Sequence, residues 1–389
     1  MNELYSLNVN WGDCHIIKTF EGNHVQATFT VDFGSKSGEK KIKSVISDYK
    51  KNYETISENN KYGLLTHYHH DHMNGFLSAI INHKVGYNTF YLPKMIPMQK
   101  KKELSPPALL FFFSLMLKPG SQYFNDSKAN IRLINELLSN GTSVKLVEKG
   151  DAITILSNTY NVLWPDFNEL RPEYTSLDTV YKDLELIVDR EILDMIDKNL
   201  INKYLNHMSL ETSEELESEI EEVNARFNER FYNNEKISTL VKEKFFRYLS
   251  RRCKSISRNN LNKYSVVLHE EDRILLLADI TEGVFDNYIK KEMRSNLKLS
   301  GKYLIMKAPH HGTDSGHYSH LFPSCKHIII NNYPTSRYKG VSNSYYLQYK
   351  LKNIDHIWCM NEHLNAKCLA NNLALSCGVC HSVFIKIMY

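Results

Sequence analysis

Residues 66–75 read THYHHDHMNG, in which His67, His69, Asp71 and His72 form an H-x-H-x-D-H spacing around His70. Imidazole nitrogens and a carboxylate oxygen are the donors that zinc, manganese or iron accepts. Along an extended strand end, alternation sends His67 and His69 the same way, toward one ion. Asp71 and His72, at the turn into the following helix, face a second ion, and His70 points outward. A lone histidine on an apolar face is usually a hydrogen-bonded core residue. This density and mixture of donors specifies metal binding instead. Gly75 suits either a tight helix entry or close packing.

Further donors come from distant stretches. ILLLADITEG ends a strand at Asp279, a carboxylate positioned to bridge two ions, and YLIMKAPHHGTDSG ends another at His310 and His311. Strand ends that converge on one edge of a sheet sandwich bring such ligands together. Asp279 alone would read as a turn or cap residue. Beside the other two signals it reads as a ligand.

The elements that must position these groups are mostly short strands. LYSLNVN, CHIIKTF, VQATFTVDFG, YGLLT and NTFYLP carry the β-branched and aromatic content of strands, and KIKSVISDYKKNY and GFLSAIINHK have helical spacing. Residues 94–140 and 177–258 read as helical insertions, and strands resume with TSVKLV through NVLWPD and again from KYSVVLHE to SVFIKIM. No glycine-rich nucleotide loop follows the first strand. An α/β architecture of two sheets covered by helices is expected, as one elaborated domain over 1–389.

Hydrophobic residues at 42% and charged residues at 24% exclude a disordered or fibrous chain, and the formal charge of +4 gives no general nucleic-acid signal. The start lacks a secretory pattern, and ALLFFFSLML at 108–117 is too short to span a bilayer, so a cytoplasmic protein without a membrane partner is expected. Cys359, Cys368, Cys377 and Cys380 cluster late and read as buried or free thiols, with a second metal site as the alternative.

In order, NVNWGDCHII, TVDFGS, THYHHDHMNG, NKYSVVLHEEDRILLLADI and KAPHHGTDSG resemble the metallo-β-lactamase fold superfamily, and within it the competence-protein (ComEC-like) branch of hydrolases. The resemblance runs from Leu7 to about Gly316 and leaves the helical insertions outside it. It implies an αββα sandwich with the metal site along one edge. His67 and His69 would hold the first ion, and Asp71, His72 and His311 the second, with Asp279 bridging. His310 would contact substrate, and Asp32 would orient the histidine loop through hydrogen bonds. Many superfamily members carry a further first-ion histidine where this chain has NVLWPD, so Asp166 is the candidate substitute.

Two divalent ions, zinc first and manganese second, would hold a hydroxide and stabilise charge on a phosphoryl or carbonyl oxygen. Asp71 and His310 are the candidate catalytic residues. The expected function is a phosphodiesterase or nuclease. The alternatives are a metallohydrolase of a carboxylic ester, amide or phosphorylcholine-like group, and a non-catalytic module that binds a protein partner through the insertions. QKKK at 99–102, the basic run at 251–263 and Tyr345, Tyr346 and Tyr349 are the candidate nucleic-acid contacts.

Overall fold

The structure, a computed structural model, describes residues 1–53, 56–94, 103–188, 190–194, 210, 217–259, 261–289, 291, 302–313, 323–331, 356–360 and 384–389. The chain divides into two compact units, Met1–Pro93 with Val147–Pro165 and Lys263–Tyr389, and Lys94–Leu146 with Asp166–Asn262. The stretches expected as helical insertions, 94–140 and 177–258, fall inside the second unit, whose limits are wider. The QKKK run at 99–102, the three tyrosines at 345–349 and the cysteines at 368, 377 and 380 lie outside the described residues. For Cys359 only the backbone strand is described.

In chain order the strands are β1 (Asn2–Leu7), β2 (Cys14–Glu21), β3 (His24–Phe33), β4 (Lys61–Leu64), β5 (Thr89–Pro93), β6 (Glu103–Leu104), β7 (Ser143–Val147), β8 (Ala152–Ile155) and β9 (Asn158–Trp164). They continue as β10 (Thr175–Ser176), β11 (Val267–Glu270), β12 (Ile274–Leu276), β13 (Lys302–Lys307), β14 (Ser324–Asn331), β15 (His356–Met360) and β16 (Phe384–Met388).

Within the first unit, one sheet runs β16-β1-β2-β3-β4-β5 and a seven-stranded sheet runs β15-β14-β13-β12-β11-β9-β8. In both, one half is antiparallel (β16 to β3, and β8 to β12) and the other parallel (β3 to β5, and β12 to β15). The sheets meet face to face, with Phe29, Val31 and Leu64 packed among Ile153, Val162, Leu268, Ile305 and Ile329 in one buried cluster. The parallel halves matter for function, because the loops at the carboxyl ends of such strands form the crevice where ligands bind.

Helices α1 (Glu39–Lys51) and α2 (His70–His83) cover the first sheet. Ordinary alternation would put Phe33 on the inter-sheet face with Phe29 and Val31. Asp32 instead adopts φ 56°, a left-handed conformation that aspartate tolerates. That turn delivers Phe33 to the helix side, where it stacks on Tyr49 at 4.1 Å and meets Phe76 edge-on at 6.2 Å. A Cβ at Gly75 would lie 2.5 Å from the Phe33 ring, so close packing of α2 on β3 explains this glycine.

The second unit is helical, with Pro106–Ser114, Gln122–Ser139, Leu177–Glu185, Glu217–Phe227 and Thr239–Asn259 as its longer helices and the short β6–β10 pair beside them. Every residue of Pro106–Ser114 is buried, in keeping with a sequence apolar up to Ser114, whose hydroxyl donates to the Phe111 carbonyl at 2.7 Å. Asn224 donates to the carbonyls of Leu115 and Leu117 at 2.8 and 2.7 Å, which satisfies the free end of that helix. Among the described residues no helix is long and apolar enough to cross a membrane.

Candidate metal centre

The donors gather where β3, β4, β12 and β13 end. After β4 the chain stays irregular through His69, and α2 begins at His70. The helix therefore starts five residues earlier than its apolar spacing suggested. His69, extended at φ −81° and ψ 146°, is its N-cap, and Asp71 and His72 form the first turn. An acidic residue there is favoured by the partial positive charge of a helix N-terminus. His70 is exposed.

Asp32 fixes the histidine loop through both oxygens. The Thr66 amide donates to Oδ1 at 2.7 Å, the Thr66 hydroxyl donates to Oδ2 at 2.7 Å, and His72 Nδ1 reaches Oδ2 at 2.8 Å. His67 Nδ1 lies 3.1 Å from the Thr66 hydroxyl. Because that hydroxyl spends its proton on Asp32, it accepts from His67. Both histidines thus hold a proton on Nδ1 and turn Nε2 outward, the arrangement that prepares imidazole for a metal. His67 Nε2 lies 2.9 Å from His69 Nδ1, and the His67 and His72 rings are 4.1 Å apart.

Across the cleft, Asp279 follows β12 and His311 follows β13. Asp279 Oδ2 is 3.4 Å from His72 Nε2 and 3.2 Å from His311 Nε2, and Asp71 Oδ2 is 3.8 Å from His311 Nε2. Three non-glycine residues take left-handed backbone to make this turn geometry: Ala278 at φ 44°, His310 at 47° and His311 at 55°. Such conformations cost about 1–3 kcal/mol each and persist where surrounding structure over-determines them. Here the His310 amide donates to the Ala278 carbonyl at 3.0 Å and ties the two loops together. The result separates the histidine pair: His311 is fully buried against the carboxylates, while His310 is half-buried.

Two residues absent from the candidate set, Asp13 and Lys307, complete the centre. Asp13, buried between β1 and β2, accepts from Asn331 Nδ2 at 3.1 Å and lies 3.7 Å from His311 Nδ1. Lys307, 1% exposed, ion-pairs with Asp13 Oδ2, lies 3.3 Å from Asp279 Oδ1 and donates to the Ala278 carbonyl at 2.9 Å. The signals were present as WGDCH and as the lysine of KAPHHG, but neither spacing shows that they meet. Their approach needs bare backbone: a Cβ on Gly12 would sit 2.2 Å from the Gly34 carbonyl oxygen, and one on Gly34 would sit 2.5 Å from the Asp71 carbonyl carbon. In the second unit, Oδ1 of Asp166 accepts from the amides of Asn168 and Glu169 at 3.0 and 3.2 Å, a helix-capping arrangement.

Electrostatics follow from this crowding. Burial opposes ionisation of Asp13, but Lys307 and His311 hold its carboxyl well below the usual carboxylate range. Burial likewise opposes ionisation of Asp279, and His311, His72 and Lys307 overcome it. Burial works against charge on His72 too, yet Asp279 and Asp32 raise it well above the ordinary histidine value. His311 is raised to about 9, against its burial, by Asp279 and Asp13. His67 goes the opposite way, pushed well down by burial and by His72 and His69, and His310 is lowered to about 4, chiefly by burial.

The donor set fits a divalent cation. One donor atom each from Asp13, His72, Asp279 and His311 lies within 4.8 Å of the others, all four residues buried. His72 Nε2 is buried and makes no hydrogen bond among the described residues, facing Asp279 Oδ2 instead. Lys307 and Asn331 already engage the two oxygens of Asp13, whereas Asp279 Oδ2, His72 Nε2 and His311 Nε2 all face one another.

No family profile and no curated protein matches this sequence. Among solved structures, the metallo-beta-lactamase fold protein YhfI from Bacillus subtilis is similar over 41% of this chain and 52% of that chain, with 14% identity and a TM-score of 0.23. The chain thus spans about half the length of that structure. Two mixed sheets packed face to face, with helices on them and a buried Asp/His cluster at their strand ends, are consistent with a metallo-β-lactamase-like α/β sandwich.

Proposed function

We propose that this protein is a metal-dependent hydrolase of phosphodiesters, a phosphodiesterase or nuclease. The observation that carries the reading is the buried Asp279–His72–His311 cluster, in which Asp32 holds the His72 ring through Nδ1 and Asp13 lies 3.7 Å from His311 Nδ1. His67 and His69 would hold one ion, and Asp71, His72 and His311 a second, with Asp279 shared. Zinc is the first choice and manganese the second, by donor type. Bound there, divalent ions would activate water and stabilise charge developing on a phosphoryl oxygen.

The chain's own residues do the rest. Asp32 and Thr66 engage Nδ1 of His72 and His67, so that Nε2 is the atom each ring turns toward a metal. Lys307 and His311 keep Asp13 ionised inside the protein, and His311, His72 and Lys307 do the same for Asp279. His310, half-buried at the rim of the same turn and lowered to about 4, is a neutral imidazole near pH 7. It therefore positions substrate by hydrogen bonding rather than delivering a proton. Asp71, in the first turn of α2, directs the attacking water.

The test is hydrolysis of bis(p-nitrophenyl) phosphate by chelator-stripped protein restored with manganese or zinc, with metal content measured alongside. Metal-dependent release that disappears in Asp71→Ala supports the proposal. Bound metal with no release, but with cleavage of a carboxylic ester or amide, would move the reaction to that class. Absence of bound metal would end the metallohydrolase reading.

A further inference from the structure

The helix Thr239–Asn259 of the second unit carries seven basic residues and one acidic one, a charge of +6 in a protein whose total is +4. Lys244, Arg247, Arg251 and Lys254 recur at helical spacing on one face, and all four are exposed. Arg247 pairs with Glu243 at 3.1 Å, whereas Lys244, Arg251 and Lys254 make no ion pair among the described residues. Elsewhere in this unit Lys128 and Arg132 are neutralised by Glu217 and Glu221.

The opposite face of the helix is already committed. Phe245, Leu249 and Cys253 are fully buried and Ile256 nearly so, with Phe227, Phe231 and Phe113 around them. Arg252 lies over the Phe113 ring at 5.7 Å. Insertion of an amphipathic helix into a membrane, or its capture in a partner's groove, needs that apolar face free. Only a rigid row of cations is left, running about 15 Å from Lys244 to Lys254 at helical rise.

We infer that this row binds the phosphate backbone of nucleic acid. Nucleic acid is the polyanion whose charge density suits such a row, with one negative charge per ~1.7 Å of duplex. The choice of nucleic acid over other polyanions rests on the phosphodiester reading above. The binding itself does not require turnover.

The experiment measures anisotropy of fluorescein-labelled single-stranded and duplex DNA of about 30 nucleotides with the full chain in excess chelator, between about 50 and 200 mM KCl. Beside it stands the surface variant Lys244→Gln/Arg251→Gln/Lys254→Gln, its fold checked by circular dichroism. Four contacts predict a log–log salt slope of about −2.8 on the single strand and about −3.6 on the duplex for the wild type, and the variant should lose about two to three units of slope and ~10-fold or more in affinity at the lowest salt. Equal binding by variant and wild type overturns the inference. So does tighter binding to phosphatidylserine vesicles or polyglutamate than to DNA, which would assign the row to a membrane or an acidic protein. Because chelator suppresses metal chemistry, loss of this binding and failure of the hydrolase proposal are read in separate measurements.

Discussion

Asp32 and Phe33 are neighbours on β3 and both are fully buried, yet they serve regions of opposite character. Asp32 faces a cluster of carboxylates, imidazoles and an ammonium at the strand end. Phe33 enters an aromatic pile with Tyr49, Phe76, Phe90 and Tyr87, where rings meet at 4.1 to 6.2 Å. The pile gains mainly from area removed from water and from ring geometry, and the buried hydroxyls of Tyr49 and Tyr87 bond each other, with Thr30 also within reach of Tyr49. The cluster bears desolvation costs that only close partnering offsets, so removing one member leaves another charge buried and alone. Stability belongs to the pile and chemistry to the cluster, with the left-handed turn at Asp32 dividing them.

The comparison breaks most visibly at Lys307. Lys307→Met should cost about 3–5 kcal/mol, because buried Asp13 loses its closest cationic partner. The double variant Asp13→Asn/Lys307→Met should recover most of that loss. Urea unfolding of the four members of the cycle decides it, and a double variant no better than the single one would show that the pair acts through packing.

Phe33→Ala should cost a similar about 3–5 kcal/mol through the cavity it opens beneath α1 and α2. Its metal affinity should change by less than that of a cluster variant. Titration calorimetry with zinc on the folded variant makes the check, and an equal loss of metal would mean that the pile positions the donors.

Asp32→Asn is the mirror experiment. It removes the carboxylate that fixes the His67 and His72 tautomers, and metal affinity should fall about 10- to 100-fold. Unchanged affinity would show that the histidines orient themselves.

The smallest effect is expected at His269, a buried histidine outside the cluster whose two ring nitrogens make no hydrogen bond among the described residues. Burial lowers it to about 4, with Asp272 opposing, the reverse of His311. The unfolded chain takes up this proton first, at about 6.5. Stability should therefore fall as pH drops from about 6.5 toward about 4, since protons favour the unfolded state across that window. His269→Leu should have a smaller difference in urea midpoint between pH 7 and pH 5 than the wild type. Identical differences would place the acid sensitivity elsewhere.

Local features were legible where one stretch of chain is enough. The donors at 67–72 could be read from residue type and spacing because all lie on one strand-to-helix connection. The strands that carry Asp279 and His311 showed in runs of branched apolar residues. The start of α2 was misplaced, since helical spacing of apolar residues begins at Gly75 while the helix itself opens at His70 on polar residues. Asp166, singled out to fill a missing ligand position, caps the short helix that follows it.

The sequence by itself determined which chemistry this protein can hold: imidazole and carboxylate donors at strand ends, in an α/β chain of globular composition. Tertiary structure alone decided which of them face one another. Asp13 and Asn331 are 318 residues apart and touch only because two sheets pack face to face. His310 and His311 are adjacent and identical in type, and left-handed backbone at both sends one toward the carboxylates and the other to the rim. Residue type fixes what a side chain can donate or accept, whereas its direction follows from backbone turns and long-range packing that no local spacing records.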